Sequence, residues 1–152
     1  MTPANAYRIN EVLPYLIARD AAAAIRFYSD AFGATEDFRI SGDDGTVAHA
    51  ELRFGTALVM IADEFPDAGI LSPLSVGGTG SRLHLHVENV DAIAERAVDA
   101  GATYLMEPTD QPHGERQCRL RDPFGHEWLL GHPIEAVSRE EMQRRYAESE
   151  QG

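Results

Sequence analysis

AFGAT at residues 31–35 is answered by DAGAT at 99–103, which sets Gly33 against Gly101, 68 residues further on. FGTALVM at 54–60 is answered by FGHEWLL at 124–130, an offset of 70. Two echoes in the same order at nearly one spacing predict a duplicated unit.

Working outward from the echoes, both copies read alike. In the first, VLPYLIAR (12–19) is strand-like, Asp20 is placed to cap the helix AAAAIRFYSDAF, and Gly33 to end it. Ile25, Tyr28 and Phe32 recur at helical spacing and are expected in the core. TEDFRIS, TVAHAELRF and TALVMIAD follow as strands, divided by the turn GDDG and by Gly55. In the second copy SRLHLHVE (81–88) is the strand and NVDAIAERAVDA the helix, with Val90, Ile93, Ala94 and Ala97 as its apolar stripe. TYLMEP, ERQCRLR and HEWLLG are its remaining strands, joined by TDQPHG and by DPFG. The pattern is βαβββ twice, an α+β arrangement. EFPDAGILSPLSVGGTG (64–80) joins the copies as a linker or as a lid over a site, and SREEMQRRYAES reads as an exposed helix with Ser138 and Glu141 as a capping box.

At 152 residues the chain is sized for one domain, or for two small modules sharing a core. Asp and Glu outnumber Lys and Arg by 25 to 13, a net charge of −12. Such a surface repels phosphate backbones and anionic lipid, so no nucleic acid and no membrane partner is expected, and a small-molecule ligand would be biased toward a cation. Cys118 is the only cysteine, which leaves no intrachain disulfide and no cysteine-based zinc knuckle. MTPANAYRINEV lacks the basic start and apolar run of a signal peptide, and no long apolar span follows, so the expected location is cytoplasmic.

PYLIARDAAAAIRFYSDAFGA, HLHVENVDAIAERAVDAGAT and RDPFGHEWLLGH together resemble the vicinal oxygen chelate superfamily, most of all its glyoxalase/bleomycin-resistance branch. The resemblance covers residues 8–133 and implies a cup-shaped mixed sheet from two βαβββ modules, 8–63 and 81–133, joined by 64–80 and followed by a helical tail, 134–152. It also implies a homodimer, since many members pair their modules across chains. Enzymes of the family hold one divalent metal with a His near each module's first strand and a Glu near each last strand, and the open coordination positions polarise the substrate. Here the carboxylate slots fall at Val59 or Met60 and at Leu129 or Leu130, and the first-strand slot of the first module at Leu13 or Pro14. Only the second module offers nitrogen, near Arg82 or His84. No metal is therefore expected in the family's usual site, and no cofactor; a divalent metal stays open only in a rearranged set of His84, His49 and Glu51.

His84 and His86 stand two apart in a strand and should share a face with Arg82, where they are expected to contact an organic ligand. Tyr15 and Trp128 are divided between core and ligand wall, and the loop TDQPHGERQCR offers Arg116 and His113 as specificity contacts. His126 is expected to stabilise its turn through Asp122, and Cys118 has no local base to make it a nucleophile. Two functions compete. One is a binding protein of the bleomycin-resistance type, sequestering a drug or metabolite as in antibiotic resistance. The other is a glyoxalase-like lyase, isomerase or dioxygenase, using a rearranged metal site or acid–base chemistry without metal.

Overall fold

The structure, a computed structural model, describes residues 1–151. In the first module β1 (Tyr15–Ala18) leads into α1 (Ala21–Phe32), followed by β2 (Thr35–Ser41), β3 (Val47–Phe54) and β4 (Ala57–Asp63). A short helix, α2 (Pro73–Val76), lies in the connection. The second module repeats the order with β5 (Arg82–His86), α3 (Val90–Asp99), β6 (Thr103–Asp110), β7 (Glu115–Arg121) and β8 (Glu127–Pro133), and α4 (Arg139–Glu150) follows.

The local signals act as expected. The Asp20 carboxylate accepts the Ala23 N–H at 3.0 Å, and the Asn89 side chain accepts that of Ala92 at 3.1 Å. Such caps satisfy backbone donors that have no partner inside the helix, worth about 1 kcal/mol each. Gly33 ends α1 with φ of 69°, a left-handed conformation that costs glycine nothing. Ser138 caps α4 by accepting the Glu141 N–H at 3.1 Å.

Each module builds its own four-stranded sheet, in the orders β1-β4-β3-β2 and β5-β8-β7-β6. The first strand runs parallel to the last, and the other pairs are antiparallel. Within one chain the two modules supply two mixed sheets, and among the described residues no ladder joins β1 to β5, so neither first strand has a second strand neighbour; the outer edge of β1 meets the His126 ring at the Ile17 carbonyl, 2.8 Å away. The reason is in the helices. Strand alternation gives each sheet an inward face, with Leu52, Val59 and Ile61 in the first and Cys118, Leu120 and Leu130 in the second, and these faces close on α1 and α3 in a single core. Tyr28, Phe32, Phe54 and Trp128 form an aromatic cluster across the modules, with the rings of Phe54 and Trp128 stacked 5.5 Å apart. Asp122 anchors the cluster, accepting the Tyr28 hydroxyl at 2.6 Å, the Trp128 indole N–H at 2.9 Å and the backbone N–H groups of Phe124 and His126 at 2.9 and 3.0 Å.

The connection is fastened to the second module's last turn. Glu64 accepts the Ser72 N–H at 2.9 Å and the Ser75 hydroxyl at 2.8 Å, and Ser72 is fully buried. Pro73 and Leu74 press on Gly125, where an added Cβ would come within 2.8 Å of Pro73 Cβ. Among the described residues no helix is long and apolar enough to cross a membrane. Both sheets thus leave their second face open.

Candidate ligand-binding faces

Sheet register decides which side chains the open faces carry. In the first module Tyr15 pairs with Met60, and Met60 with Glu51. In the second His84 pairs with Leu129, and Leu129 with Arg119. The two rows are equivalent, since Tyr15 to His84 and Met60 to Leu129 are both separations of 69 residues.

On the first face the Tyr15 hydroxyl meets His49 Nδ1 at 2.7 Å, and His49 Nε2 meets Glu51 Oε1 at 3.3 Å. An ionised carboxylate only accepts, so Nε2 is the donor toward Glu51, and in the tautomer that carries its single proton there Nδ1 accepts from the phenol. The ring of Phe38 packs on the same imidazole with centroids 5.6 Å apart. Burial raises the Tyr15 phenol above its ordinary pKa. Phe38 and Ile40, on the outermost strand, are 45% and 54% exposed, which leaves an apolar wall without a covering layer.

On the second face Arg82, His84 and His86 project together, and the two imidazoles stack with centroids 4.5 Å apart at 25°. Gly131 lies next to them in the sheet. A Cβ there would come within 2.9 Å of Glu115 Oε2 and 3.0 Å of His84 Nε2, so the missing side chain is what lets carboxylate and imidazole converge. The Gln117 amide donates to that Glu115 oxygen at 2.8 Å, with His113 Nε2 3.7 Å from it. Burial lowers the pKa of His84, and the neighbouring His86, Arg82 and His113 act in the same direction against Glu115. His84 is accordingly neutral at neutral pH. A cavity of about 500 Å³ opens beside this face, with Pro14, Phe54 and Val59 of the first module opposite Arg82, His84 and His86.

Arg82, His84, His86 and Tyr15 therefore stand on open faces, and His113 at the rim. Trp128 points inward, 1% exposed, because the five-residue turn from Asp122 to His126 sets β8 in the register that pairs it with buried Leu120, and it lines the inner wall of the same cavity. Val59 likewise points inward by alternation and meets the cavity from its inner side. Arg116 is likewise turned from the open face, held by Asp91 at 2.7 and 2.8 Å and by Asp110 at 2.9 Å. His49 and Glu51 lie on a different sheet from His84, and among the described residues no three His, Cys, Asp or Glu side chains converge as a metal group. β1 begins at Tyr15, so Tyr15 rather than Leu13 or Pro14 stands opposite Met60. The four equivalent positions thus carry a phenol, a thioether, one imidazole and an isobutyl group, a donor set that does not fit a hard or borderline divalent cation. His126 gives its N–H to Asp122 as expected; its ring also meets the Ile17 carbonyl at 2.8 Å and ties the modules together. Cys118 is buried, and burial, followed by the nearby Asp91, pushes its thiol up to about 11, which leaves it unreactive.

The sequence draws attention to Glu115 only as part of the loop TDQPHGERQCR, and to Gln117, Arg119 and Gly131 not at all. The alternation in ERQCRLR already sorts Glu115, Gln117, Arg119 and Arg121 onto one face, and that signal was available.

The sequence profile of the Glyoxalase/Bleomycin resistance protein/Dioxygenase superfamily matches residues 8–130. The uncharacterized protein Mb0911c of Mycobacterium bovis is 44% identical over 133 residues, spanning 86% of this chain and 88% of its own length. Among solved structures, a gene product of Arabidopsis thaliana is similar with TM-score 0.66 and 27% identity over 81% of this chain and 98% of that one. TioX from Micromonospora sp. ML1 is similar with TM-score 0.63 and 26% identity over 85% of this chain and all 100% of its own.

Proposed function

The chain belongs to the Glyoxalase/Bleomycin resistance protein/Dioxygenase superfamily, and from that premise we propose that it binds a small organic molecule on its open sheet faces without the four-ligand metal set of the family's enzymes. The observation that carries this is the register: the positions opposite one another in the first and last strands, Tyr15 with Met60 and His84 with Leu129, supply one imidazole among four side chains. Apolar wall and polar anchors are both present, as a ligand site requires. The free edges of β1 and β5 and the exposed Phe38 and Ile40 favour a homodimer in which one chain's first module closes over its partner's second. The role is sequestration of a drug or metabolite in the cytoplasm.

The test is protein-observed NMR with a small-fragment library, on protein purified without chelator and assayed for metal by plasma mass spectrometry. Hits that move the methyl signals of Met60 and Leu129 and the ring signals of His84 support the reading. An absence of hits at those reporters, or near-stoichiometric metal, overturns it.

One observation favours a second reading. The hydrogen-bonded chain Tyr15–His49–Glu51 has the parts of an acid–base relay, with the phenol at the open face and the carboxylate fixing the tautomer of the imidazole between them. A lyase or isomerase working without metal would use Tyr15 as its proton donor.

A further inference from the structure

The net charge of −12 is not shared by the second module's open face. β5, β8 and β7 place Arg82, Glu127 and Arg121 in one row, and His84, Leu129 and Arg119 in the next. Three guanidinium groups therefore surround a single carboxylate at this end of the sheet. Arg121 stands 3.9 Å from Glu127, at the edge of salt-bridge reach, whereas among the described residues Arg82 and Arg119 have no salt bridge. Arg119 is half-buried in that state. A guanidinium carries five donors in a planar fork that no solvated ammonium matches, and partial burial without an acceptor leaves those donors underused.

An open depression lies in front of these side chains. Arg82, Arg119 and Glu127 line this space of about 270 Å³ with Thr79, Gly80 and Ser81. Arg82 also lines the larger cavity beside His84 and His86, so it borders both spaces. Glu115 reaches the same face beside His84, where Gln117 and His113 engage its carboxylate.

We propose that this face binds an organic acid, with its carboxylate held between Arg82 and Arg119 and its apolar body over Leu129 and His84. The proposal rests on the small-molecule reading above and narrows it to an anionic ligand class. Overall charge pointed toward a cation; the local charge that a ligand meets has the opposite sign, and contact distances weigh far more than remote surface charge in salt-containing solution. Two guanidinium forks match a carboxylate in geometry as well as sign.

The experiment compares benzoate, benzamide and benzylamine, which share a ring and differ in charge, by following the ring signals of His84 and His86 and the Leu129 methyls. Benzoate is expected to move these signals saturably, benzamide and benzylamine at least about tenfold more weakly, and Arg82→Gln or Arg119→Gln to weaken benzoate at least about tenfold. Arg82 is solvent-exposed, so its variant keeps the test open if the half-buried Arg119→Gln misfolds. Equal or stronger binding of benzylamine or benzamide would overturn the anionic class and leave the small-molecule reading intact. No response to any of the three would also overturn the proposal. The fragment library then separates the cases, because hits at the same reporters keep the broader reading and their absence removes both.

Discussion

His84 and Asp122 show how differently two polar side chains can be used in one module. His84 has its pKa held below the ordinary 6.5, first by burial and then by His86. Above about pH 6.5 the imidazole is neutral in the folded and unfolded chain alike, and its contribution to stability is fully present. As pH falls through that value the unfolded chain takes up a proton first, so stability drops until the pH passes the lower folded pKa. Urea midpoints at about pH 7.5 and 5.5 should therefore fall further in the native protein than in His84→Gln. Asp122 is a structural anchor, 4% exposed, with both carboxylate oxygens occupied by donors. Asp122→Ala leaves the Tyr28 hydroxyl and the Trp128 indole unpaired in the core, and urea unfolding should show a loss of about 3 kcal/mol or more.

At the scale of elements, two glycines separate strain from space. Gly114 turns β6 into β7 with φ of 95°, and a Cβ there would lie 2.5 Å from the Glu135 carbonyl oxygen. That oxygen is backbone and cannot step aside, while Ile134 and Glu135 both donate to the Gly114 carbonyl at 2.9 and 3.2 Å. Gly114→Ala should cost about 2–4 kcal/mol in a thermal or urea melt. Gly131 has no positive φ, and its close neighbours are the ends of the Glu115 and His84 side chains, which can rotate. Gly131→Ala should stay within about 0.5 kcal/mol of the native protein yet shift the ring signals of His84, because the added methyl separates the imidazole from Glu115. The helices were legible in sequence because caps and periodicity are local: Asp20 and Gly33 bracket α1 at the residues expected, Ala21 to Phe32. The strands were legible in order and kind, with ERQCRLR falling on β7. What sequence left open was phase. Val59 or Met60, and Leu129 or Leu130, differ by one position and therefore by a whole face, and only the two turns, Gly55–Thr56 and Asp122–His126, decide between them. Trp128, divided between wall and core because aromatics serve both, is 1% exposed in the core and also borders the cavity.

For the whole molecule, the helices join the modules in one core, and the two open faces lie on separate four-stranded sheets. Unpaired strand edges and bare apolar side chains are liabilities that folded proteins usually cover. Each sheet has two edge strands, β1 and β2 in the first and β5 and β6 in the second. If a second copy closes the cup, mass in solution should be about twice 16.7 kDa, and the melting temperature should rise with protein concentration, because association stabilises only the folded state. Hydrogen exchange tells where the copies meet. In the dimer, amides of Tyr15–Ala18 and Arg82–His86 that face the free edges should exchange slowly and speed up on dilution, while those at the outer edges of β2 and β6 keep one rate throughout. A monomer at all concentrations, or dilution effects confined to β2 and β6, would mean that each open face binds its ligand as a shallow half-site, with Arg82 and Arg119 facing solvent on one side.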